Sequence, residues 1–319
     1  MSFPPLSNGF RVAGTYEVLR VVGEGAMGVV YAAKGPDGAE VAVKVLVRTD
    51  AEGLARFDRE IATCEKLHHD HVVPILGHGV DAALDAPYLV MPLLTGGDLG
   101  ALLARTGALP ESVAIPLMWQ ACQGVAAVHE AGVVHRDVKP SNFLIDERGT
   151  GLVVRVADFG LATATDLEGK LTRSGVLMGT PHYISPEQSQ DPKSVDGRTD
   201  VWSLGMVLFH MLAGRPAFDN AGAFMQFLVQ RKSITPVQNL APWVSPRLAR
   251  ALHGALLRAP DARWPSVREF MLGIEMAVGF DAARLPLSAA DLVGLDASDK
   301  GIVAPRAELP LHWEDLLRG

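Results

Sequence analysis

His135-Arg136-Asp137-Val138-Lys139-Pro140-Ser141-Asn142, followed at a short distance by Asp158-Phe159-Gly160, is the part of this chain whose reading decides the fold. Moving a phosphoryl group asks little covalent chemistry of a protein. The group must be held in line with an attacking hydroxyl while its spreading negative charge is neutralised. The two motifs carry side chains suited to that task. Asp137 can accept a hydroxyl proton, Lys139 can reach a terminal phosphate, and Asn142 and Asp158 offer hard oxygens of the kind that ligate Mg²⁺. An Asp-Phe-Gly alone arises often by chance. Both motifs in this order, with a glycine-rich loop and a lysine-bearing strand upstream, do not.

Working upstream, Tyr16 to Val22 reads as a strand that enters Gly23-Glu24-Gly25-Ala26-Met27-Gly28, and Val29 to Ala33 continues as strand. Glycines let backbone N–H groups approach phosphates with no Cβ in the way. Dinucleotide-binding folds use a similar run, but there the third glycine opens a helix, so the strand that follows here points elsewhere. A turn at Gly35-Pro36-Asp37-Gly38 leads to the β-branched run Glu40 to Val47, which holds Val41-Ala42-Val43-Lys44. Ala51 to Leu67 has helical spacing through Leu54, Phe57, Ile61 and Leu67, and Val72 to His78 and Pro87 to Met91 read as further strands. After Leu94-Thr95-Gly96-Gly97 the pattern turns helical. Leu99 to Ala104, Val113 to His129, Val201 to Ala213, Ala221 to Arg231, Pro246 to Leu257 and Val267 to Ala277 are punctuated by proline and glycine. The pattern predicts an α+β fold: a small antiparallel β-rich lobe with one helix, a short hinge with the cleft beside it, and a larger, mainly helical lobe.

Composition narrows the class. A chain of 319 residues is long for one core and suits two lobes. With 48% hydrophobic and 20% charged residues it reads as a soluble globular protein, and a net charge of -7 argues against non-specific nucleic-acid binding and against a polybasic membrane anchor. Met1-Ser2-Phe3-Pro4-Pro5 lacks the basic and apolar regions of a signal peptide. The longest apolar run, Val201 to Ala213, is interrupted by Ser203, Gly205 and His210 and is short of the ~20 residues of a span, so it reads as a buried helix. Cys64 and Cys122 are far apart with no metal-ligand spacing, which suits free thiols in a reducing cytoplasm.

Together these motifs resemble the eukaryotic-type (Hanks-type) Ser/Thr protein kinases, and among them the bacterial branch. The resemblance covers residues 12 to 280, with an N-lobe at 12–91, a hinge at 92–97, a C-lobe at 98–280, and extensions at 1–11 and 281–319. It implies a bilobal signalling kinase that works in the cytoplasm on protein substrates, with ATP and Mg²⁺, or Mn²⁺ in its place. It also implies roles for single residues. Gly23, Gly25, Gly28 and Val30 match the glycine-rich loop, Lys44 the strand lysine that grips the α- and β-phosphates, and Ala42 and Leu144 the two faces of the adenine site. Glu60 is the favoured anion for Lys44, with Asp58 and Glu65 as competing carboxylates on the same helix.

Met91 looks like the gatekeeper residue, and Pro92-Leu93-Leu94 like the hinge, where the Pro92 carbonyl and the Leu94 N–H would meet adenine. Asp98 suits either the ribose hydroxyls or a helix N-cap. Lys139, two residues after Asp137, and Thr180 in Gly179-Thr180-Pro181 match the Ser/Thr-specific pattern. Glu187, in a Ser-Pro-Glu that replaces the usual Ala-Pro-Glu, would pair with Arg263, and Asp200 would hold the catalytic-loop backbone. Arg136 before Asp137 accompanies control by activation-loop phosphorylation in the family, with Thr172 and Ser174 as candidate sites. Beyond residue 280, Trp313, Leu316 and Leu317 share one face of a possible short helix. Docking of that face on the helical lobe is the expectation, with a partner or a regulatory role as alternatives.

Overall fold

The computed structural model describes residues 6–25, 28–46, 51–148, 151–159, 181–192, 195–218, 229, 233–293 and 295. Several expectations therefore lie outside the described residues: the loop tip at 26–27, the segment 160–180 with Thr172, Ser174 and Thr180, the helix over 221–231 apart from Val229, and the tail from 296 with Trp313, Leu316 and Leu317. The chain divides into two compact units, Met1–Thr95 and Gly96–Gly319.

The first unit is built on a six-stranded antiparallel sheet. Its strands are β1 (Arg11–Val12), β2 (Tyr16–Gly25), β3 (Gly28–Lys34), β4 (Glu40–Leu46), β5 (Gly77–Asp81) and β6 (Ala86–Pro92), in the order β1-β2-β3-β4-β6-β5. Alternation along β3 and β4 sends Val29, Tyr31, Ala33, Val41, Val43 and Val45 into one apolar cluster with Val12, Val18, Ala86 and Val90. One helix, α1 (Ala51–Cys64), completes the unit. The strand expected at Val72 to His78 is displaced: regular strand begins only at Gly77 and runs to Asp81. Val72 and Val73 are buried, but ahead of the strand, and Pro74 has no N–H to contribute to a ladder. An apolar run marks burial, and here burial begins several residues ahead of the regular strand.

The second unit is mainly helical: α2 (Leu99–Thr106), α3 (Glu111–Glu130), α4 (Pro186–Gln190), α5 (Arg198–Ala213), α6 (Pro246–Ala255), α7 (Val267–Val278) and α8 (Phe280–Ala283). Ser185-Pro186 and Ser245-Pro246 show how the sequence starts such helices. Each serine accepts a hydrogen bond from the N–H three residues on, and each proline occupies the first turn, where its missing N–H costs nothing. Helix α5 is buried almost throughout, from Thr199 to Leu212, as an all-round apolar helix must be. Between the two motifs lie two strands, β7 (Phe143–Arg148) and β8 (Gly151–Val156), paired as a hairpin. Cys64 and Cys122 are both buried, and burial pushes the Cys122 thiol up.

Candidate active site

In the first unit, pairing register does the gathering. Val30 lies opposite Lys44, Ala42 lies opposite both Ala32 and Met91, and Gly23 lies opposite Val30. Because directly opposed residues point to the same side of a sheet, Val30, Ala42, Lys44 and Met91 share one face, the reverse of the apolar cluster. Lys44 is only 4% exposed; the side chain of Glu60, on α1, is outside the described atoms. Pro92 ends β6, one position past Met91 and beyond Val90, the last residue of β6 that pairs with β5. A residue without an N–H is tolerated there. Leu94 follows outside the strand.

The glycines of the loop divide into two kinds. Gly28 has φ +150°, and a Cβ there would run into the Val45 carbonyl oxygen of β4; glycine is demanded by the sheet itself. A Cβ on Gly23 would meet nothing within 4 Å, and one on Gly25 only the Gly28 oxygen at 3.9 Å. The fold leaves that side open.

In the second unit the catalytic-loop stretch is irregular from Val133 to Lys139 and closes in a short 3-10 turn, Pro140–Asn142. Its backbone is held by Asp200, whose carboxylate is 0% exposed. One oxygen accepts from the His135 N–H at 2.8 Å and from His129 Nε2 at 2.7 Å, and the other from the Arg136 N–H at 2.9 Å. His135 ties the loop to the end of β8. Its Nε2 is 3.1 Å from the Ala157 carbonyl, which can only accept, and its Nδ1 is 3.3 Å from the Asp137 N–H, which can only donate. The proton therefore sits on Nε2. Arg136 and Asp158 both adopt positive φ, at 64° and 60°, a conformation that non-glycine residues seldom take and that clusters at functional sites.

Within this frame Lys139 Nζ donates to Asp137 Oδ2 at 2.7 Å, and Asn142 Nδ2 donates to the Asp137 carbonyl at 2.8 Å. The Ala157 N–H donates to the Asn142 carbonyl at 2.9 Å, extending the β7–β8 ladder by one bond and setting Asp158 beside Asn142 at the open end of the hairpin. Asp137, Lys139, Asn142 and Asp158 are thus brought together. Leu144 follows on β7 and bridges to Asp98. The Asp98 side chain accepts from the Ala101 N–H at 2.9 Å as the N-cap of α2, through one of its two carboxylate oxygens.

Further groups brace the loop. Glu187 receives both ends of the Arg263 guanidinium, at 2.7 and 3.0 Å, and Arg263 lies 5.2 Å from the Trp202 ring centre. Arg263 also donates to the carbonyls of Leu257, Arg198 and Arg258. Sequence reasoning missed His129, the His135 clamp and Gln188, whose Nε2 donates to the Arg136 carbonyl at 2.6 Å. It treated Ser185 as a small replacement for alanine, yet Ser185 is fully buried, caps α4 and lies 2.6 Å from the Thr199 hydroxyl. The Ser-Pro pair was the available signal for that cap.

Comparison with known proteins follows the same lines. The model of the protein kinase domain matches residues 16–270. The chain belongs to the protein kinase family. Among curated members it is 33% identical over 298 residues to the serine/threonine-protein kinase Pkn1 of Myxococcus xanthus, covering 92% of this chain and 42% of that protein. It is 38% identical over 267 residues to the DNA damage-responsive serine/threonine-protein kinase RqkA of Deinococcus radiodurans, covering 81% and 39%. The chain thus spans about two fifths of the length of these relatives. Its structure is similar to the crystal structure of the Mycobacterium tuberculosis PknI kinase domain, with a TM-score of 0.67 and 27% identity over 86% of this chain and all of that one. The Hanks-type resemblance and the α+β kinase fold are thereby established, and the curated relatives are bacterial.

The family works with ATP and a divalent metal. The residues present fit such an ion. Magnesium-type ions are bound by one or two protein oxygens and completed by phosphate and water, and among the described residues no cluster of three or more His, Cys, Asp or Glu is built to cage one. Asn142 commits its amide nitrogen to Asp137, which leaves its oxygen as the end suited to a cation, and Asp158 follows Ala157, whose N–H is bonded to the Asn142 carbonyl. No helix among the described residues is long and apolar enough to cross a membrane.

Proposed function

We propose that this chain is a bacterial Ser/Thr protein kinase that transfers the γ-phosphate of Mg-ATP to serine and threonine hydroxyls of protein substrates in the cytoplasm, with a catalytic domain at 12–280 (lobes at 12–91 and 98–280 and a hinge at 92–97) flanked by extensions. The observation that carries this reading is the Asp137–Lys139 contact at 2.7 Å inside a loop whose backbone N–H groups are clamped by the buried Asp200. Asp137 accepts the proton of the attacking hydroxyl as the new O–P bond forms, and ADP leaves with the electrons of the old one. Lys139 and Lys44 neutralise charge on the transferred and the remaining phosphates, with Glu60 as partner to Lys44. The family roles assign the backbone at Gly23, Gly25 and Gly28 to the phosphates, Val30, Ala42, Met91, Pro92, Leu94 and Leu144 to the adenine, and Asp98 to the ribose. Asn142 and Asp158 would hold Mg²⁺ or Mn²⁺, which supplies charge neutralisation to the phosphate oxygens.

Activation by autophosphorylation of the segment 160–180 belongs to the same reading. Arg136 Nε is buried with no hydrogen-bond partner among the described residues, and a phosphate adds roughly −1.5 to −2 charge and acceptor oxygens that such a guanidinium can bind. Thr172 and Ser174 are the proposed acceptors. Incubation with radiolabelled ATP and a generic protein substrate tests the mechanism. Asp137→Asn is expected to bind nucleotide but transfer no label, Lys44→Ala to keep its fold and lose transfer, and Asp158→Ala to lose metal-bound nucleotide. Transfer by purified Asp137→Asn at the wild-type rate would remove the assigned base and with it the mechanism.

A further inference from the structure

The β7–β8 hairpin is tied down at both ends by different parts of the helical unit. Its open end carries Asn142 and Asp158, as described above. Along the outer edge of β8, alternate backbone N–H groups point away from β7. The Val154 N–H is taken by the Gln120 side chain of α3 at 2.8 Å, and the Leu152 N–H by the carbonyl of Leu287 at 2.8 Å. Leu287 lies beyond residue 270, where the family match ends. So do Glu275 and Arg284, a bonded pair on the same stretch of chain. Glu275, on α7, is 2% exposed, and its Oε1 accepts from Trp119 Nε1 and from Arg284 Nε, both at 2.8 Å. The Arg284 guanidinium carbon also lies 5.5 Å from the ring centres of Trp119 and of Phe280. Trp119 is the neighbour of Gln120 on α3, so the Gln120 bond to β8 and the Trp119 bond to Glu275 start from the same turn of that helix.

We propose that residues 280–288 are a latch that sets the placement of the β7–β8 hairpin, and through it the affinity of Asn142 and Asp158 for a divalent cation carried by a nucleotide, with Arg284 as the positioning residue. The inference rests on the metal roles given to Asn142 and Asp158 under the kinase reading. A two-stranded hairpin is marginal by itself, so its placement depends on what its edges are bonded to. The ladder runs unbroken from Glu147 opposite Leu152 to Phe143 opposite Val156 and on through the Ala157–Asn142 bond. A loosened far edge is therefore felt at the end that meets the metal.

The test compares the full chain with Arg284→Ala and with Arg284→Lys, which keeps the charge and loses the planar face. Two readouts are taken: amide hydrogen exchange at Leu152, and the dissociation constant of Mn²⁺·ADP followed by electron paramagnetic resonance. For Arg284→Ala, exchange at Leu152 is expected to accelerate roughly tenfold, as for loss of one net hydrogen bond. The Mn²⁺·ADP constant is expected to rise about three- to tenfold, the range typical of residues on a coupling network. Arg284→Lys should fall between the two and keeps the comparison open should the alanine variant fail to fold. Faster exchange with unchanged Mn²⁺·ADP affinity would make the latch a structural tie only and overturn the proposal, as would no change in either. A wild-type chain that binds Mn²⁺·ADP but transfers no phosphate would overturn the kinase reading and leave the latch standing; one that binds no Mn²⁺·ADP would overturn both.

Discussion

Asp200→Ala tests whether the catalytic loop is held by one buried carboxylate. The substitution removes the acceptor of two backbone N–H groups, at His135 and Arg136, and of His129 Nε2. The His129 side chain is 18% exposed and can turn to water; the two N–H groups face a site where Asp200 is fully buried. Each orphaned donor costs about 1–3 kcal/mol, so the variant is expected to lose roughly 4 kcal/mol, which for a domain of this size lowers the melting temperature by about 8–16 °C. Asp200→Asn keeps one acceptor and turns an NH₂ toward the second N–H, so about half the loss is expected. Phosphoryl transfer should fall in both, because the positive φ of Arg136 is maintained only by its surroundings. Thermal unfolding by circular dichroism, with transfer rates measured well below the transition, decides the matter. A melting temperature for Asp200→Ala within about 2 °C of wild type would refute the clamp, since even one orphaned donor predicts more.

The other predictions concern different parts of the molecule. Gly28→Ala places a Cβ against the Val45 carbonyl at positive φ and should lower the melting temperature of the chain. Gly25→Ala should leave melting nearly unchanged and weaken ATP binding in calorimetry; equal melting for the two would erase the distinction. Burial pushes the His253 imidazole down from 6.5 to about 4, and its Nε2 accepts from the Val237 N–H at 3.0 Å, which requires the neutral ring. Its stabilisation is therefore complete above 6.5 and is lost as pH falls from there toward 4, about 3 kcal/mol in all. The stability difference between wild type and His253→Gln in denaturant titrations should shrink across that window, and parallel curves would rule the histidine out. Thr172→Ala with Ser174→Ala should reduce activity more than either alone. At roughly 1.5–3 kcal/mol per charged bond, against about 5.5 kcal/mol for a complete switch, each phosphate gives only part of the activation. Phosphopeptide maps that find neither residue modified after ATP incubation would exclude both.

Much of the fold and the centre of the site could be read from the sequence because the relevant signals are local. Asp137, Lys139 and Asn142 fall within one short stretch, and the β-branched alternation of β3 and β4 places Lys44 on the face opposite the valine cluster. Features that depend on register or on distant partners were not legible. Gly28 looks like its neighbours in a glycine loop until the approach of Val45 from β4 is known. Val72 and Val73 fill the core without joining a strand. The Trp119–Glu275 bond joins residues 156 positions apart, on helices whose local patterns say only that one side is buried. For Asp98, which suited either a ribose or a helix N-cap in sequence, the position of the Ala101 N–H adds the N-cap bond.

Arg263 leaves one consequence for motion. A guanidinium has five N–H donors, and here all of them are taken, two by Glu187 and the rest by the carbonyls of Leu257, Arg198 and Arg258. The start of α5, the end of the α6 segment and the helix that follows the activation segment are therefore held by one side chain. None of them can open by itself without leaving a buried charge short of partners, a cost far above that of a single neutral bond. Amides from these three stretches belong to one cooperative opening unit, exchanging with a common free energy, although they are strangers in sequence.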